Sequence, residues 1–257
     1  MLVKEEVFIM GLFSRITGAF SASKYGYTSA IILCAGESTR FGDNGNKQMA
    51  KICGKSVCEY TIEAFEYSKN IKEIILVVRK EDVAEYKALI AENGYSKIKC
   101  IVTGGETRQI SAFRGFRHVS EKAKFVAIHD GARCLVTEDI IDAVLKEAAI
   151  HNVATAATKS TDTIKLIDER GFVKRTVDRD FIWAVQTPQI FDAKVYKVCA
   201  YNARQKGIEA TDDTVLAEKA GFKVKLVDTG KENIKITYPA DIDYAEYVIK
   251  KRFGEIQ

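Results

Sequence analysis

The chain has 257 residues, 47% of them apolar and 29% charged, in the range of an ordinary soluble globular protein with room for one large α/β domain or two small ones. Its 39 Lys and Arg face 35 Asp and Glu; a formal charge of +4 excludes a general affinity for nucleic acid but leaves room for a local basic pocket. The six cysteines are dispersed without a C-x-x-C pair, which argues against a zinc cluster and a disulfide framework and fits a reducing cytoplasm.

Residues 7–20, VFIMGLFSRITGAF, are apolar but carry Arg15 and are shorter than the ~20 residues that span a bilayer. They also lack the basic leader of a secretory signal. Residues 1–28 therefore read as an N-terminal extension that packs on the domain or stays disordered, with membrane-surface contact the lesser reading; Met10 is an alternative start. Residues 29–257 read as a single domain.

In that domain short β-rich runs at Ala30–Cys34, Ile74–Val78, Ile98–Val102, Phe125–His129 and Val153–Ala157 alternate with helical periodicity at Val57–Tyr67, Val83–Asn93, Arg108–Ser120 and Glu138–His151. Continuous apolar strands separated by helices predict a mostly parallel sheet with helices on both faces. Ligands in such sheets bind beyond the carboxyl ends of the strands. Gly36, Arg40 and Lys47 follow the first strand, Gly104-Gly105-Glu106 the third and Asp130-Gly131-Ala132-Arg133 the fourth, so three polar loops open on one edge.

From Lys159 to Ile190 short alternating segments, Thr163–Ile167, Val173–Val177 and Ile182–Val185, read as a β-arm of residues 159–190. Its exposed strand edges make it a candidate dimer contact. Helices near Val195–Lys206 and Asp212–Ala220, a strand at Lys223–Val227 and a helix at Asp241–Arg252 complete the chain.

Neither G-x-G-x-x-G nor the P-loop spacing occurs, so the first loop offers only Gly36, where backbone approaches a ligand, with Arg40 and Lys47 as anion donors or as solvated turn charges. Asp130 reads either as a ligand for a cation or hydroxyl or as a helix cap, and His129 beside it as structural. Gln186-Thr187-Pro188-Gln189 reads as a site or as turn chemistry. Few acid/base groups and many phosphate donors favour phosphoryl or nucleotidyl transfer over triad hydrolysis.

The ordered set LCAGESTRFG with NKQ, then GGETRQIS, HDGAR, DTIK, TVDR, QTPQ, TDD and NIKIT resembles the 2-C-methyl-D-erythritol 4-phosphate cytidylyltransferase family, from about Ser29 to Arg252. The resemblance implies a Rossmann-like nucleotidyltransferase with a protruding arm, a homodimer, Mg²⁺ as cofactor and a reaction between CTP and methylerythritol phosphate in isoprenoid precursor synthesis. It assigns Arg40 and Lys47 to the triphosphate and transition state, and Ala35, Gly36, Gly105, Glu106 and Ser111 to CTP. Asp130 and Arg133 fall on acceptor positions, as do Thr187, Thr211 and Thr237. Lys235 is a further phosphate donor, and Thr163 and Arg179 match arm residues that reach the neighbouring subunit's acceptor. Mg²⁺ is expected on the phosphates rather than on protein ligands.

The chain departs from the family pattern at Cys34, at Ser38 in place of a second glycine, at Asn46 in place of a proline before the lysine, at Glu106 and at Cys134. The alternative acceptor is ribitol 5-phosphate, whose cytidylyltransferases carry very similar motifs; the arm motifs favour methylerythritol phosphate. A CTP-binding protein without turnover is the reading from another class, and the retained charges around the acceptor argue against it.

Overall fold

The computed structural model describes residues 7–9, 24–38, 40–41 and 46–254. The chain forms β1 (Val7–Ile9), β2 (Thr28–Cys34), β3 (Lys51–Ile52), β4 (Lys55–Ser56), α1 (Val57–Tyr67), β5 (Ile71–Val78), α2 (Val83–Asn93) and β6 (Ile98–Thr103). There follow α3 (Arg108–Phe116), β7 (Phe125–Asp130), α4 (Glu138–His151), β8 (Val153–Lys159), β9 (Lys165–Ile167) and β10 (Val173–Thr176). The last elements are β11 (Trp183–Asp192), α5 (Ala193–Lys206), α6 (Asp213–Lys219), β12 (Lys225–Asp228) and α7 (Ala240–Arg252).

Helix starts follow local chemistry. Ser56 and Glu59 form a capping box at α1, and Thr107, Thr137, Asp192 and Asp212 each accept a backbone N–H at the start of α3 to α6. Gly94, Asn152 and Gly207 end α2, α4 and α5 in the left-handed conformation that releases the chain toward the next strand or loop.

One eight-stranded sheet runs in the order β1-β6-β5-β2-β7-β11-β8-β12. Strands β6, β5, β2 and β7 are parallel, and β12 is parallel to β8. Strand β2 is buried along its whole length, so alternation sorts its side chains between two apolar layers. Ala30, Ile32 and Cys34 pack with Ile62 and Phe65 of α1, Tyr86 of α2 and Leu145 of α4. Ile31 and Leu33 pack with Phe113 of α3, Tyr196 of α5 and Leu216 of α6. Each fully buried aliphatic side chain contributes roughly 1.5–3 kcal/mol. The result is a Rossmann-like sheet with helices on both faces, as expected.

The chain steps from β2 outward to β5 and β6, then crosses back to β7 on the other side of β2. Loops leaving β2 and β7 therefore diverge, and a crevice opens where Leu33 lies opposite Asp130 at the carboxyl ends.

Three expectations change. Gln186–Ile190, read as the end of the arm or as a turn, belongs to β11, which lies antiparallel between β7 and β8. The ladder is interrupted between Val185 and Gln189, and this irregularity accommodates Pro188 inside a central strand. Helix α3 stops at Phe116 rather than Ser120, because His118 and Val119 turn back on Gly115 and Phe116 in tighter three-residue steps. Only β9 and β10 form the arm's hairpin, a separate two-stranded sheet whose residues are all exposed. At the N-terminus β1 pairs antiparallel with β6, and residues 10–23, the rest of the apolar extension, lie outside the described residues.

Gly115 sets how closely α3 sits on the sheet. A Cβ there would lie 2.6 Å from Ile31 Cγ2 and 2.8 Å from Val77 Cγ2. Gly115→Ala is expected to destabilise by about 1–3 kcal/mol, the usual effect of overpacking. The check is urea unfolding, with a lowered midpoint and an unchanged slope; a midpoint equal to the parent's would show that the spacing is not set at Gly115.

Candidate active site

Four segments meet at the crevice: the loop after β2, the loop after β6, the end of β7 and the stretch 233–237. They enclose a cleft of about 380 Å³. It gathers ten of the predicted residues: Ala35, Gly36, Arg40, Lys47, Gly105, Glu106, Ser111, Asp130, Lys235 and Thr237.

The first loop leaves β2 as an open backbone turn. A Cβ at Gly36 would meet nothing within 4 Å, so the loop's face toward the cleft is free for a ligand. Ser38 adopts φ +57, the left-handed conformation that glycine takes without strain, at the position where the resemblance expects glycine. Asn46 replaces the expected proline with a side-chain anchor: its amide donates to Asp82 and its carbonyl oxygen accepts the Gln48 N–H. That anchor places Lys47, itself buried, at the cleft wall. Burial lowers the Lys47 ammonium pKa first, and Lys235 and Arg40 lower it further, against the opposing pull of Asp130 and Asp241.

The second loop is pinned from α3, where Ser111 Oγ accepts the Gly105 N–H at 3.0 Å. Thr107 then caps the helix that carries Ser111.

At the end of β7, Asp130 is a buried carboxylate among three cations. Arg108 Nε lies 3.0 Å from Oδ1, Lys235 Nζ 2.9 Å from Oδ2, and Arg133 Nε 3.7 Å from Oδ2. Burial pushes the carboxyl pKa up, but Arg108, Lys235 and Arg133 outweigh it and hold the group well below the usual carboxylate range.

Five predicted residues fall elsewhere. Arg133 does not line the cleft: its partly buried guanidinium donates to the carbonyl of Asn233 at 2.8 Å and so fixes the stretch bearing Lys235. Thr187 is buried, and its Oγ1 accepts the Asp130 N–H and pairs with His129 Nδ1, each at 3.0 Å. Thr211 is exposed just before the Asp212 cap. Thr163 and Arg179 are exposed in the arm. Two residues of the site were not anticipated: Arg108, and Asp213, whose carboxylate takes Arg108 Nη1 at 2.5 Å and the Tyr196 hydroxyl at 2.9 Å. The available signals were a cation in a helix's first turn, where the macrodipole disfavours it, and a second aspartate beside a cap that needs only one.

Among the described residues no three His, Cys, Asp or Glu side chains gather to hold a metal ion, and Asp130 is already engaged by cations. Among the same residues no helix is long and apolar enough to cross a membrane.

Residues 28–251 match the family model described as 2-C-methyl-D-erythritol 4-phosphate cytidylyltransferase. The chain belongs to this family. A cytidylyltransferase of that name from Caldanaerobacter subterraneus subsp. tengcongensis is 43% identical over 224 residues, covering 87% of this chain and 99% of the relative. The corresponding protein from Clostridium acetobutylicum is 40% identical over 223 residues, covering 86% of this chain and 97% of the relative. The crystal structure of 4-diphosphocytidyl-2C-methyl-D-erythritol synthase from Anaerococcus prevotii superposes with a TM-score of 0.79 at 32% identity, covering 88% of this chain and all of that one. The cytidylyltransferase family thus accounts for the sheet and for the loops that build the cleft.

Two predictions follow from local chemistry at the site. Ser38→Gly is expected to raise stability by roughly 0.5–1 kcal/mol, since relief of left-handed strain outweighs the extra freedom glycine gives the unfolded chain. A thermal melt checks it, and a lowered melting temperature would contradict it. His129 is fully buried, and burial holds its imidazole down to about 3 against the pull of Asp130. Between about pH 3 and the ordinary imidazole value of about 6.5 the unfolded chain binds a proton that the native one does not, so stability is complete above that range and falls as pH drops through it. The slope is about 1.4 kcal/mol per pH unit, and urea titrations of the parent and of His129→Gln should show it reduced in the variant.

Proposed function

We propose that the protein transfers CMP from CTP to 2-C-methyl-D-erythritol 4-phosphate, giving the CDP-linked methylerythritol and pyrophosphate. A non-bridging oxygen of the acceptor phosphate attacks the α-phosphorus of CTP. The new P–O bond forms as the bond from the α-phosphorus to the bridging oxygen breaks, and pyrophosphate leaves with that electron pair. No general base is required, because the acceptor phosphate is already ionised near neutral pH.

The observation that carries the reading is the group of cations around the crevice: Arg40, Lys47 and Lys235 line one cleft, and Lys47 is held where burial, and then neighbouring cations, disfavour its own charge. Such a site gains most from a polyanion, and donors fixed in advance stabilise the charge that moves onto pyrophosphate. Gly105, Glu106 and Ser111 are assigned to the nucleoside, and Asp130 and Thr237 to the acceptor. Mg²⁺ is proposed to arrive on the triphosphate, and no step above depends on it.

The arm is proposed to bind a second copy, placing Thr163 and Arg179 at the neighbour's acceptor. Support comes from the arm's exposed apolar side chains, Phe172 at 70% in the turn of the hairpin and Phe181 at 81% in the helical turn that follows it, and from the hairpin's being two-stranded and so marginal alone. The free cysteines, five of them buried, suit a cytoplasmic setting.

The test is pyrophosphate release from CTP and Mg²⁺ with methylerythritol phosphate and with ribitol 5-phosphate in turn. Turnover with the first is expected; turnover with ribitol phosphate alone would overturn the acceptor assignment. Lys47→Ala should lower kcat by about 10²–10³, as the loss of one preorganised donor does. If the arm completes the neighbour's site, mixing inactive Lys47→Ala and Arg179→Ala chains with subunit exchange should restore about a quarter of parental activity, since half the dimers then hold one intact site. No recovery would assign Arg179 to its own subunit.

A further inference from the structure

Arg108 enters the cleft from the first turn of α3, directly after the loop that carries Gly105 and Glu106. Its guanidinium is a fork between two carboxylates from different parts of the fold: Nε on Asp130 at the end of β7, Nη1 on Asp213 at the start of α6. Asp213 is fixed from behind, since Tyr196 of α5 donates to its other oxygen and Gln189 of β11 accepts its backbone N–H at 3.0 Å. Asp130 has Lys235 on its second oxygen. A continuous line of polar contacts thus runs from Tyr196 through Asp213, Arg108 and Asp130 to Lys235.

This arrangement is a poor device for stability alone. A cation in a helix's first turn opposes the macrodipole, and buried ion pairs often do no better than apolar replacements. Its distinctive property is geometric. Lysine, a single point charge, does not reproduce the planar fork that spans both carboxylates. Asp213 neutralises Arg108 and keeps it from following an anionic ligand, whereas Lys235, whose ammonium pairs with Asp130 alone among the described residues, stands half-exposed at the cleft.

Resting on the acceptor assignment of Asp130, we propose that Arg108 is a positioning residue: anchored on Asp213, it holds Asp130 Oδ1 in place while Lys235 leaves Oδ2 for a substrate phosphate, so that the acceptor meets an oriented carboxylate. Its partner on the substrate side is the polyol phosphate rather than CTP.

The experiment compares Arg108→Lys, Asp130→Asn and the double variant in the full-length protein, measuring KM and kcat for the acceptor and, separately, the Kd of CTP. Arg108→Lys is expected to raise the acceptor KM at least about tenfold and lower kcat, while the CTP Kd stays within about threefold. Because Arg108 acts through Asp130, the double variant should lose no more than Asp130→Asn alone; losses that multiply, or a CTP Kd that rises as much as the acceptor KM, would overturn the proposal. Should Arg108→Lys fail to fold, Asp213→Asn, which keeps a partner for Tyr196 but loosens the anchor, should move the acceptor KM in the same direction, and an unchanged KM would overturn the proposal.

If the parent uses ribitol phosphate instead, the methylerythritol reading fails while the same ratios on that acceptor still decide the role of Arg108. If it turns over neither, the carboxyl ¹³C titration of Asp130 decides: a pKa raised in Arg108→Lys supports the link, and an unmoved one overturns it.

Discussion

A carboxylate placed out of water at the end of a central strand must be compensated, and the architecture of the cleft follows from how Asp130 is compensated. An isolated buried ion costs several kcal/mol even after relaxation, so its cations have to be close and fixed. They come from three places: Arg108 from α3, Arg133 from the turn after β7, and Lys235 from the segment before α7. Each brings its own element to the crevice. Arg133 also binds the carbonyl of Asn233, and Ile236 donates its N–H to Ala132, so the stretch bearing Lys235 is laced to the same strand end. Below it, Asp130 donates its N–H to Thr187, and since that hydroxyl then donates to His129 Nδ1, the remaining imidazole N–H faces the Arg133 carbonyl at 3.3 Å. Burial keeps the ring neutral and so preserves that direction of hydrogen bonding.

What could be read beforehand divides along the same physical line. The parallel strands and the helices covering them were legible because apolar runs and helical periodicity act locally, as at β2 and at α1. Strand β11 was not. Its polar residues look like a turn, yet Gln186, Thr187 and Gln189 are buried and satisfied by Asn233, Asp130 and Asp213, partners that lie from 24 to 57 residues away in the chain. Tertiary hydrogen bonding overrode a local signal that was itself correctly read. Ten site residues converge on the cleft because strand-end loops of a parallel sheet share an edge. The inward turn of Arg133 depended on where Asn233 would come to lie, and Arg108 became intelligible only once Asp213 stood beside it.

Stability and function pull in different directions at this edge. Lys47, Lys235 and Arg40 repel one another, and Lys47 is placed where burial already disfavours its ammonium. A fold selected only for stability would disperse these charges. Concentrated on one cleft, they keep the empty site at higher electrostatic energy than the same site holding phosphates, and that difference is available for binding and for stabilising the departing pyrophosphate. The same reasoning separates the cations by role. Arg40, Lys47 and Lys235, the cations proposed to meet substrate, line the cleft; Arg108 lines it too but is held between two carboxylates, and Arg133 is turned onto a backbone carbonyl.

The division also bears on how the two substrates of the proposed reaction avoid interfering with each other. Both are polyanions, and a cleft of uniform positive charge would bind either one in either place. A buried carboxylate in the middle breaks that uniformity. Next to Asp130 a bare phosphate is repelled, while hydroxyl groups can donate to it, so the polyol portion of an acceptor is favoured there and the phosphates are driven toward the cations on either side. For that discrimination to work the carboxylate must stay ionised when Lys235 moves to a phosphate. Arg108, neutralised on its far side by Asp213 and unable to lose its proton, then stays on Oδ1, with Arg133 3.7 Å from Oδ2.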